Sequence, residues 1–269
     1  YAMMLESYND VAVAVAEGVA GSVEEFVKLM NKKAGEIGAV NTNFVTPNGL
    51  DAKGHFSTAY DMALIGAYAI KNQQFLKITN TKSYSFYDCS NKRHIVVNNK
   101  DAFLNMSSDA IGIKTGFTGD AGYCFVGAVK SNNRVYVSCV LASGWPPNKT
   151  YKWRDTTKLM DYGKNNFDTK KILKNRISFP VNIENGTKKQ IIAVAIGPYK
   201  ALVSRNDTVE AKTEFNYELP IKSGEKIGEV KLYINNQCVK KCKIEAVDSV
   251  EKYDFKYCFK KTLDYFIFQ

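Results

Sequence analysis

Two short groups of polar residues in this chain have the types and spacing expected of an acyl-transfer site. Ser7 and Asn9 stand two positions apart, and Lys114-Thr115-Gly116 follows much later. A serine hydroxyl can relay a proton, an asparagine amide can donate and accept hydrogen bonds, and a lysine ammonium attracts carboxylates. Together they predict a site that holds a substrate amide and a substrate carboxylate during acyl transfer.

The Lys-Thr-Gly segment carries most of the predicted binding chemistry. Lys114 would attract the carboxylate and, by like-charge repulsion, keep a neighbouring lysine neutral. Thr115 would hydrogen-bond the same carboxylate, and Gly116 would leave space for a ligand beside the strand. The backbone NH of Phe117 is predicted to form one half of an oxyanion hole.

The nucleophile that this chemistry requires is missing in front of Ser7. In serine acyl transferases with these two motifs, it lies in a Ser-x-x-Lys sequence upstream of both. Here that pattern occurs only after Lys114, at Ser223–Lys226 and Ser249–Lys252, where we interpret it as chance. We therefore interpret the chain as part of a longer protein and expect the 269 residues alone to be inactive.

The composition indicates a globular protein and excludes several classes of function. With 45% hydrophobic and 24% charged residues, the chain can bury a large core. Its net charge of +10 favours anionic partners, but no nucleic-acid-binding motif accompanies it. The six cysteines lack the density of a disulfide scaffold, and no Cys/His spacing matches a zinc site.

Apolar periodicity and turn residues predict an α/β domain around both motifs, with an antiparallel sheet and helices. One helix is predicted to begin just after the Ser-x-Asn triplet, with Asn9 and Asp10 as caps. The predicted helices cover residues 10–20, 22–38, 58 onward and 153–165. The predicted strands cover residues 82–88, 93–98, 110–113, 122–130 and 134–142.

From about residue 170 the sequence changes to short β-rich runs, which predict a small all-β, sandwich-like domain. Its strands are expected at 191–196, 199–204, 214–221 and 227–233. The predicted domains are therefore 1–168 and 169–250, followed by a tail, 251–269. The tail interleaves lysines with seven aromatic residues, the last of which is Phe268. As a helix it would be an interfacial membrane anchor, and as a strand it would pack on the β domain.

The chain resembles the low-molecular-weight penicillin-binding proteins, specifically the D-alanyl-D-alanine carboxypeptidases that trim the wall of spore-forming bacteria. The resemblance covers about residues 1–165 by motif and the β domain by architecture. One departure is Tyr8, which replaces the glycine or aspartate common in the second motif. The matching segments are 7–17, Phe44-Val-Thr-Pro-Asn-Gly-Leu-Asp51, 55–63, Gly112-Ile-Lys-Thr-Gly-Phe-Thr118, 121–124 and Lys158-Leu-Met-Asp-Tyr-Gly163.

This resemblance implies a β-lactamase/transpeptidase-like fold and a secreted enzyme at the outer face of the cytoplasmic membrane or in the cell wall. It implies removal of the terminal D-alanine from peptidoglycan pentapeptides through an acyl-serine, acylation by β-lactams, and no metal or organic cofactor. Ser7, Asn9 and Lys114 would be catalytic, and Thr115, Gly116 and Phe117 would bind substrate. The basic residue that helps to hold the substrate carboxylate falls on Lys152, with Arg154 as the alternative.

Two other functions share these motifs. A serine β-lactamase needs a general-base glutamate in a loop between the second and third motifs. The glutamates there, Glu17, Glu24, Glu25 and Glu36, all fall in predicted helices, which argues against that function. A catalytically inactive module that binds peptidoglycan or a partner would keep the fold without turnover.

Overall fold

The computed structural model describes residues 1–267 and divides the chain into two units, Tyr1–Asn165 and Asn166–Gln269. The final residues of the predicted tail, Phe268 and Gln269, lie outside the described residues. Each unit has its own buried core of apolar side chains.

Several helices of the first unit begin at a capping side chain or end at a glycine. Ser22 and Thr58 cap two of them, because each side-chain oxygen accepts from a backbone NH three residues later. Gly21 and Gly38 end two helices with positive φ angles of 83° and 93°. The helices are α1 (Ala2–Glu6), α2 (Asn9–Ala20), α3 (Val23–Ile37), α4 (Ala59–Ala69), α5 (Gln73–Thr79), α6 (Phe103–Met106) and α7 (Tyr151–Asn166).

A three-stranded antiparallel sheet positions the Lys-Thr-Gly motif. The motif lies on β3, which pairs only with β4 among the described strands, and β4 pairs in turn with β5. Gly66 of α4 packs against this sheet so closely that a Cβ there would lie 2.8 Å from Cγ1 of Val126. The strands are β1 (Ser83–Tyr87), β2 (His94–Asn98), β3 (Ala110–Thr118), β4 (Gly122–Ser131) and β5 (Arg134–Val140).

The second unit is built mainly of antiparallel strands. A five-stranded sheet has the order β10-β11-β12-β8-β7, and β6 pairs with β9. A final helix, α8, spans Phe255–Ile267. The strands are β6 (Phe167–Leu173), β7 (Arg176–Asn182), β8 (Gln190–Ile196), β9 (Tyr199–Ser204), β10 (Val209–Phe215), β11 (Lys226–Ile234) and β12 (Gln237–Ala246).

The predicted α/β domain followed by an all-β domain is confirmed, and four details are corrected. Tyr8, rather than Asn9 or Asp10, is the N-cap of α2. The strand predicted at 214–221 lies earlier, at Val209–Phe215, because Pro220 has no NH to donate to a strand ladder. Three strands, β6, β7 and β12, were not predicted. The strand alternative for the tail is wrong, because α8 is a helix with no buried residue.

Candidate active site

Ser7 and Lys114 meet although they lie on different elements. Ser7 caps the end of α1 with left-handed backbone angles (φ 61°, ψ 45°), and its NH donates to the carbonyl of Met3 at 3.1 Å. Lys114 projects from β3, and its Nζ donates to the Ser7 hydroxyl and to the carbonyl of Thr115 at 3.1 Å. The structure therefore joins the two motifs through the side chains named from the sequence.

The charge on Lys114 is set by its surroundings. Burial lowers the pKa of this lysine from its usual value to about 8. The carboxylate of Asp101 opposes that fall, and the positive charge of Lys152 adds to it. At pH 7 Lys114 is thus mostly protonated, and its charge is only partly screened by water.

The residues that follow Lys114 lie in the more exposed, C-terminal half of β3. Thr115 is half-buried, whereas Gly116 and Phe117 are exposed. A Cβ on Gly116 would meet only Cβ of Cys124, at an ordinary 3.7 Å, so the space beside the strand is free for a ligand. The ring of Phe117 packs on Tyr123, with ring centroids 4.5 Å apart.

The end of β3 is tied to the loop between α3 and α4. The Thr118 hydroxyl donates to Oδ1 of Asp51 at 2.9 Å. The start of the same loop is held by the buried carboxylate of Asp61, which accepts from the NH of Asn41 and the hydroxyl of Thr42, both at 2.7 Å. The hydrogen bond from Thr118 thus ties Asp51, the last residue of the Pro-Asn-Gly-Leu-Asp segment, to the end of the strand that carries Lys-Thr-Gly.

Asn9 begins α2 and is exposed, two residues after the Ser7 hydroxyl. Tyr8 between them is 42% exposed. The contact between Ser7 and Lys114 does not extend to the Asn9 side chain, so its role as a holder of substrate amides stays a prediction.

Lys152, rather than Arg154, lies near Lys114. Lys152 is buried on α7, and its Nζ lies 4.8 Å from the ring centroids of both Tyr123 and Trp153. Burial lowers the pKa of Lys152, and its charge acts on Lys114. Arg154 is exposed and pairs with the adjacent Asp155 at 2.8 Å.

Asp101 is the member of this cluster that sequence reasoning missed. It is only 2% exposed, and its Oδ1 accepts from the NH of Phe103 at 3.0 Å. Burial raises the pKa of the Asp101 carboxyl to about 6, although Lys114 and Lys152 oppose the rise. The only signal was an acidic residue directly before the apolar run Ala-Phe-Leu, and acids in such positions are usually solvated.

The described residues contain no group of three or more His, Cys, Asp or Glu side chains arranged to hold a metal ion. Among the described helices, none combines the length and apolar character that a membrane crossing requires.

Comparison with known families assigns both units. Residues 1–144 match the family model for D-alanyl-D-alanine carboxypeptidase, and residues 167–252 match that for the penicillin-binding protein 5 C-terminal domain. The chain is 30% identical over 265 residues to the D-alanyl-D-alanine carboxypeptidase DacF of Bacillus subtilis, covering 96% of this chain and 67% of the relative. It is 33% identical over 260 residues to DacA of Haemophilus influenzae, covering 92% and 63%. The chain thus spans about two thirds of the length of these curated relatives.

Solved structures of similar proteins share the fold. Penicillin-binding protein 5 from Haemophilus influenzae superposes with a TM-score of 0.65 at 29% identity, covering 93% of this chain and 73% of that one. The D-alanyl-D-alanine carboxypeptidase DacD from Francisella tularensis gives a TM-score of 0.71 at 23% identity, covering 93% and 74%. The latter likeness concerns the fold alone.

Proposed function

Because the chain belongs to the D-alanyl-D-alanine carboxypeptidase family of low-molecular-weight penicillin-binding proteins, we propose that its first unit carries part of a cleft that releases the terminal D-alanine of peptidoglycan pentapeptides. In the complete protein the reaction would proceed through an acyl-serine on the outer side of the cytoplasmic membrane. β-Lactams would acylate the same serine.

The observation that carries this proposal is the hydrogen bond from Lys114 to the Ser7 hydroxyl. It puts a partly buried ammonium beside a hydroxyl and next to the exposed Gly116. A peptide ending in a carboxylate could lie along the free side of β3 and bring that carboxylate to Lys114 and Thr115. Lys152 would add a second positive charge nearby, as a point charge and not a two-pronged guanidinium contact.

The proposed roles follow the chemistry of each group. Ser7 would relay a proton to the leaving amine nitrogen when the acyl-enzyme forms. Asn9 would hold the amide of the residue before the scissile bond, and the NH of Phe117 would stabilise the developing oxyanion. None of these residues is proposed as the nucleophile.

The two Ser-x-x-Lys sequences of the chain have structural roles that fit poorly with nucleophilic attack. The Ser249 hydroxyl accepts from the NH of Ser223 at 2.9 Å, and the Ser223 hydroxyl donates to the carbonyl of Val247 at 2.7 Å. Lys226 pairs with Glu229 at 2.5 Å. These contacts support our proposal that the nucleophile and its base are supplied by residues outside these 269.

Binding of a substrate-like peptide tests the proposed cleft without requiring turnover. An N-acetylated peptide ending in D-Ala-D-Ala should bind the chain. Chemical-shift changes in NMR spectra of the chain would measure this binding. Lys114→Ala should weaken binding on the order of tenfold to a hundredfold, because a charge-assisted hydrogen bond is lost. Lys130→Ala, which removes an exposed lysine of β4, is the matched control and should leave the affinity for the peptide unchanged. Equal loss in both variants, or no binding by the wild-type chain, contradicts the proposal.

Intact-mass analysis with benzylpenicillin tests where the nucleophile lies. We expect no covalent adduct on this chain, and a stoichiometric adduct would place the nucleophile within it. Turnover by the complete gene product would separate the carboxypeptidase from an inactive peptidoglycan-binding module, which would bind the peptide without releasing D-alanine.

The tail supports a membrane contact as a further part of this proposal. In α8 the side chains of Phe255, Phe259, Leu263 and Phe266 are between 46% and 84% exposed and recur at helical spacing. Lys256 lies at the edge of this apolar face, and Lys260 and Lys261 lie on other sides of the same helix. Apolar and basic faces together suit the surface of a membrane that contains anionic lipids.

A further inference from the structure

The segment that leads to Asp101 is fixed to the helix that ends at Ser7. The NH of Lys100 donates to the carbonyl of Leu5 at 3.0 Å, and the Lys100 ammonium pairs with Glu6 at 2.8 Å. The NH of Asn98 also donates to Glu6, at 2.9 Å. Asp101 therefore has little freedom to move relative to the Ser7 end of α1.

Asp101 is also held through Phe103, which begins a series of contacts between aromatic rings. Its Oδ1 accepts from Phe103, whose ring packs edge to face on Phe125 with centroids 5.8 Å apart. Phe125 pairs with Thr115 across the sheet and packs on Trp153 at 4.8 Å. Trp153 is the neighbour of Lys152 on α7, so one packed path joins the carboxyl, the motif strand and the second lysine.

The second oxygen of Asp101 has a free hydrogen-bonding capacity. Oδ2 is fully buried and has no hydrogen-bond partner among the described residues. A buried carboxylate oxygen without a partner is costly unless positive charge lies nearby. Both Lys114 and Lys152 act electrostatically on Asp101, and it acts on both of them.

We propose that Asp101 is a positioning residue that keeps Lys114 protonated in its buried site, so that Lys114 can bind the substrate carboxylate. The described groups that act on Lys114 are Asp101, beside α6, and Lys152, on α7. Lys152 in turn is influenced by Cys124, on β4, and by Asp101. Asp101 is thus the only described carboxylate in a cluster whose other charges repel each other.

The sign of the effect follows from the two pKa values. The pKa of Asp101 is raised to about 6 by burial, so its carboxyl is ionised at neutral pH. The pKa of Lys114 is lowered to about 8, so its amine is still protonated there. Removing the Asp101 charge leaves burial and Lys152 to act unopposed, and the pKa of Lys114 falls further.

The direct test follows Lys114 by NMR of ¹³C-labelled lysine side chains in the 269-residue chain, with its signal assigned by its absence in Lys114→Ala. Asp101→Asn keeps the size of the side chain and should lower the pKa of Lys114 by about one unit. The matched control is Asp109→Asn, which removes a carboxylate that lies 3.6 Å from Lys164, and it should leave the pKa of Lys114 unchanged. An unchanged pKa in Asp101→Asn overturns the proposal.

A measurement on the wild-type chain covers the case in which Asp101→Asn does not fold. The Lys114 signal should show a second inflection where Asp101 titrates, because each charge changes the environment of the other. A single inflection overturns the proposal without any variant.

The functional consequence rests on the proposed function and has its own readout. With a lower pKa of Lys114, the affinity of Asp101→Asn for the D-Ala-D-Ala peptide should fall about fivefold at pH 8 and change little at pH 6.5. Equal weakening at both pH values would indicate a merely structural role and contradict our inference. If the wild-type chain binds no peptide, the proposed function fails, while the titration of Lys114 still decides the role of Asp101.

Discussion

The ammonium group of Lys114, on β3, donates a hydrogen bond to the hydroxyl of Ser7, at the end of α1. The two residues are 107 positions apart, so folding of the helices and the sheet creates this contact. Ser7 has a positive φ, and Lys114 has lost much of its hydration. Both states cost free energy, and such costs concentrate where a protein prepares a binding site.

Two substitutions of Ser7 separate the free-energy cost of its backbone conformation from the contribution of its hydroxyl to stability. Ser7→Ala and Ser7→Gly both remove the hydroxyl, but only glycine adopts a φ of 61° without strain. We expect Ser7→Gly to be more stable than Ser7→Ala by about 1 kcal/mol. Both tryptophans, Trp145 and Trp153, lie in the first unit, so tryptophan fluorescence during urea unfolding measures this difference. Equal stability of the two variants would show that the backbone at Ser7 is unstrained.

The contact of Ser7 with Lys114 could be anticipated from the sequence, whereas Asp101 could not. Ser-x-Asn and Lys-Thr-Gly have a chemical meaning at any distance in the chain, because the reaction needs both groups. Asp101 matters only because tertiary packing buries it near two lysines. Burial of a single acid depends on the elements around it, and no local pattern encodes it.

The same distinction holds for the elements. The helix over Val23–Ile37 has a capping residue, an apolar face and a terminal glycine, so its ends were predicted. Strand β10 is short and carries only exposed side chains, so no buried face marks its ends. Its position is set by pairing with β11, from Val209 opposite Ile234 to Phe215 opposite Gly228. Edge strands of this kind are hard to locate without their partners.

Two helix glycines, Gly66 and Gly35, should respond in opposite ways to replacement by alanine. Only Gly66 lies where a helix, α4, closely approaches the sheet. Gly66→Ala would place a methyl group 2.8 Å from Val126, and overpacking of this kind destabilises by about 1 to 3 kcal/mol. Gly35→Ala, in α3, meets no atom within 4 Å and should stabilise by about 0.5 to 1 kcal/mol, because alanine favours helix. Urea unfolding followed by tryptophan fluorescence measures both. Stabilisation by Gly66→Ala would contradict this packing.

The exposed aromatic face of α8 predicts binding to lipid. The chain should co-sediment with vesicles that contain phosphatidylglycerol, and removal of residues 253–269 should abolish most of that binding. Phe259→Ser should weaken binding because it removes a large apolar side chain from the exposed face. Thr262→Ser, a conservative change in the same helix, serves as the control. Equal sedimentation of the full and shortened chains would exclude the tail as the membrane contact.

The buried positive charge of Lys114 should reduce the stability of the folded state. Its pKa is lowered in the folded state from 10.5 to about 8, mainly by burial, so the unfolded chain binds the proton more tightly. Stability is therefore reduced below pH 8 and recovers as the pH rises between 8 and 10.5. Lys114→Met removes the charge and should raise the free energy of unfolding at pH 7 by roughly 2 kcal/mol.

The pH dependence distinguishes this effect from better packing by methionine. At pH 9.5 the wild-type lysine is mostly neutral in the folded state, so the advantage of Lys114→Met should shrink by more than half. Lys130→Met, at an exposed position of β4, should change stability little at either pH. An advantage of Lys114→Met that is equal at both pH values would mean that its charge costs the folded state nothing. In that case the Lys114 ammonium would not need the Asp101 carboxylate to stabilise its charge, and packing alone would hold the lysine side chain in place.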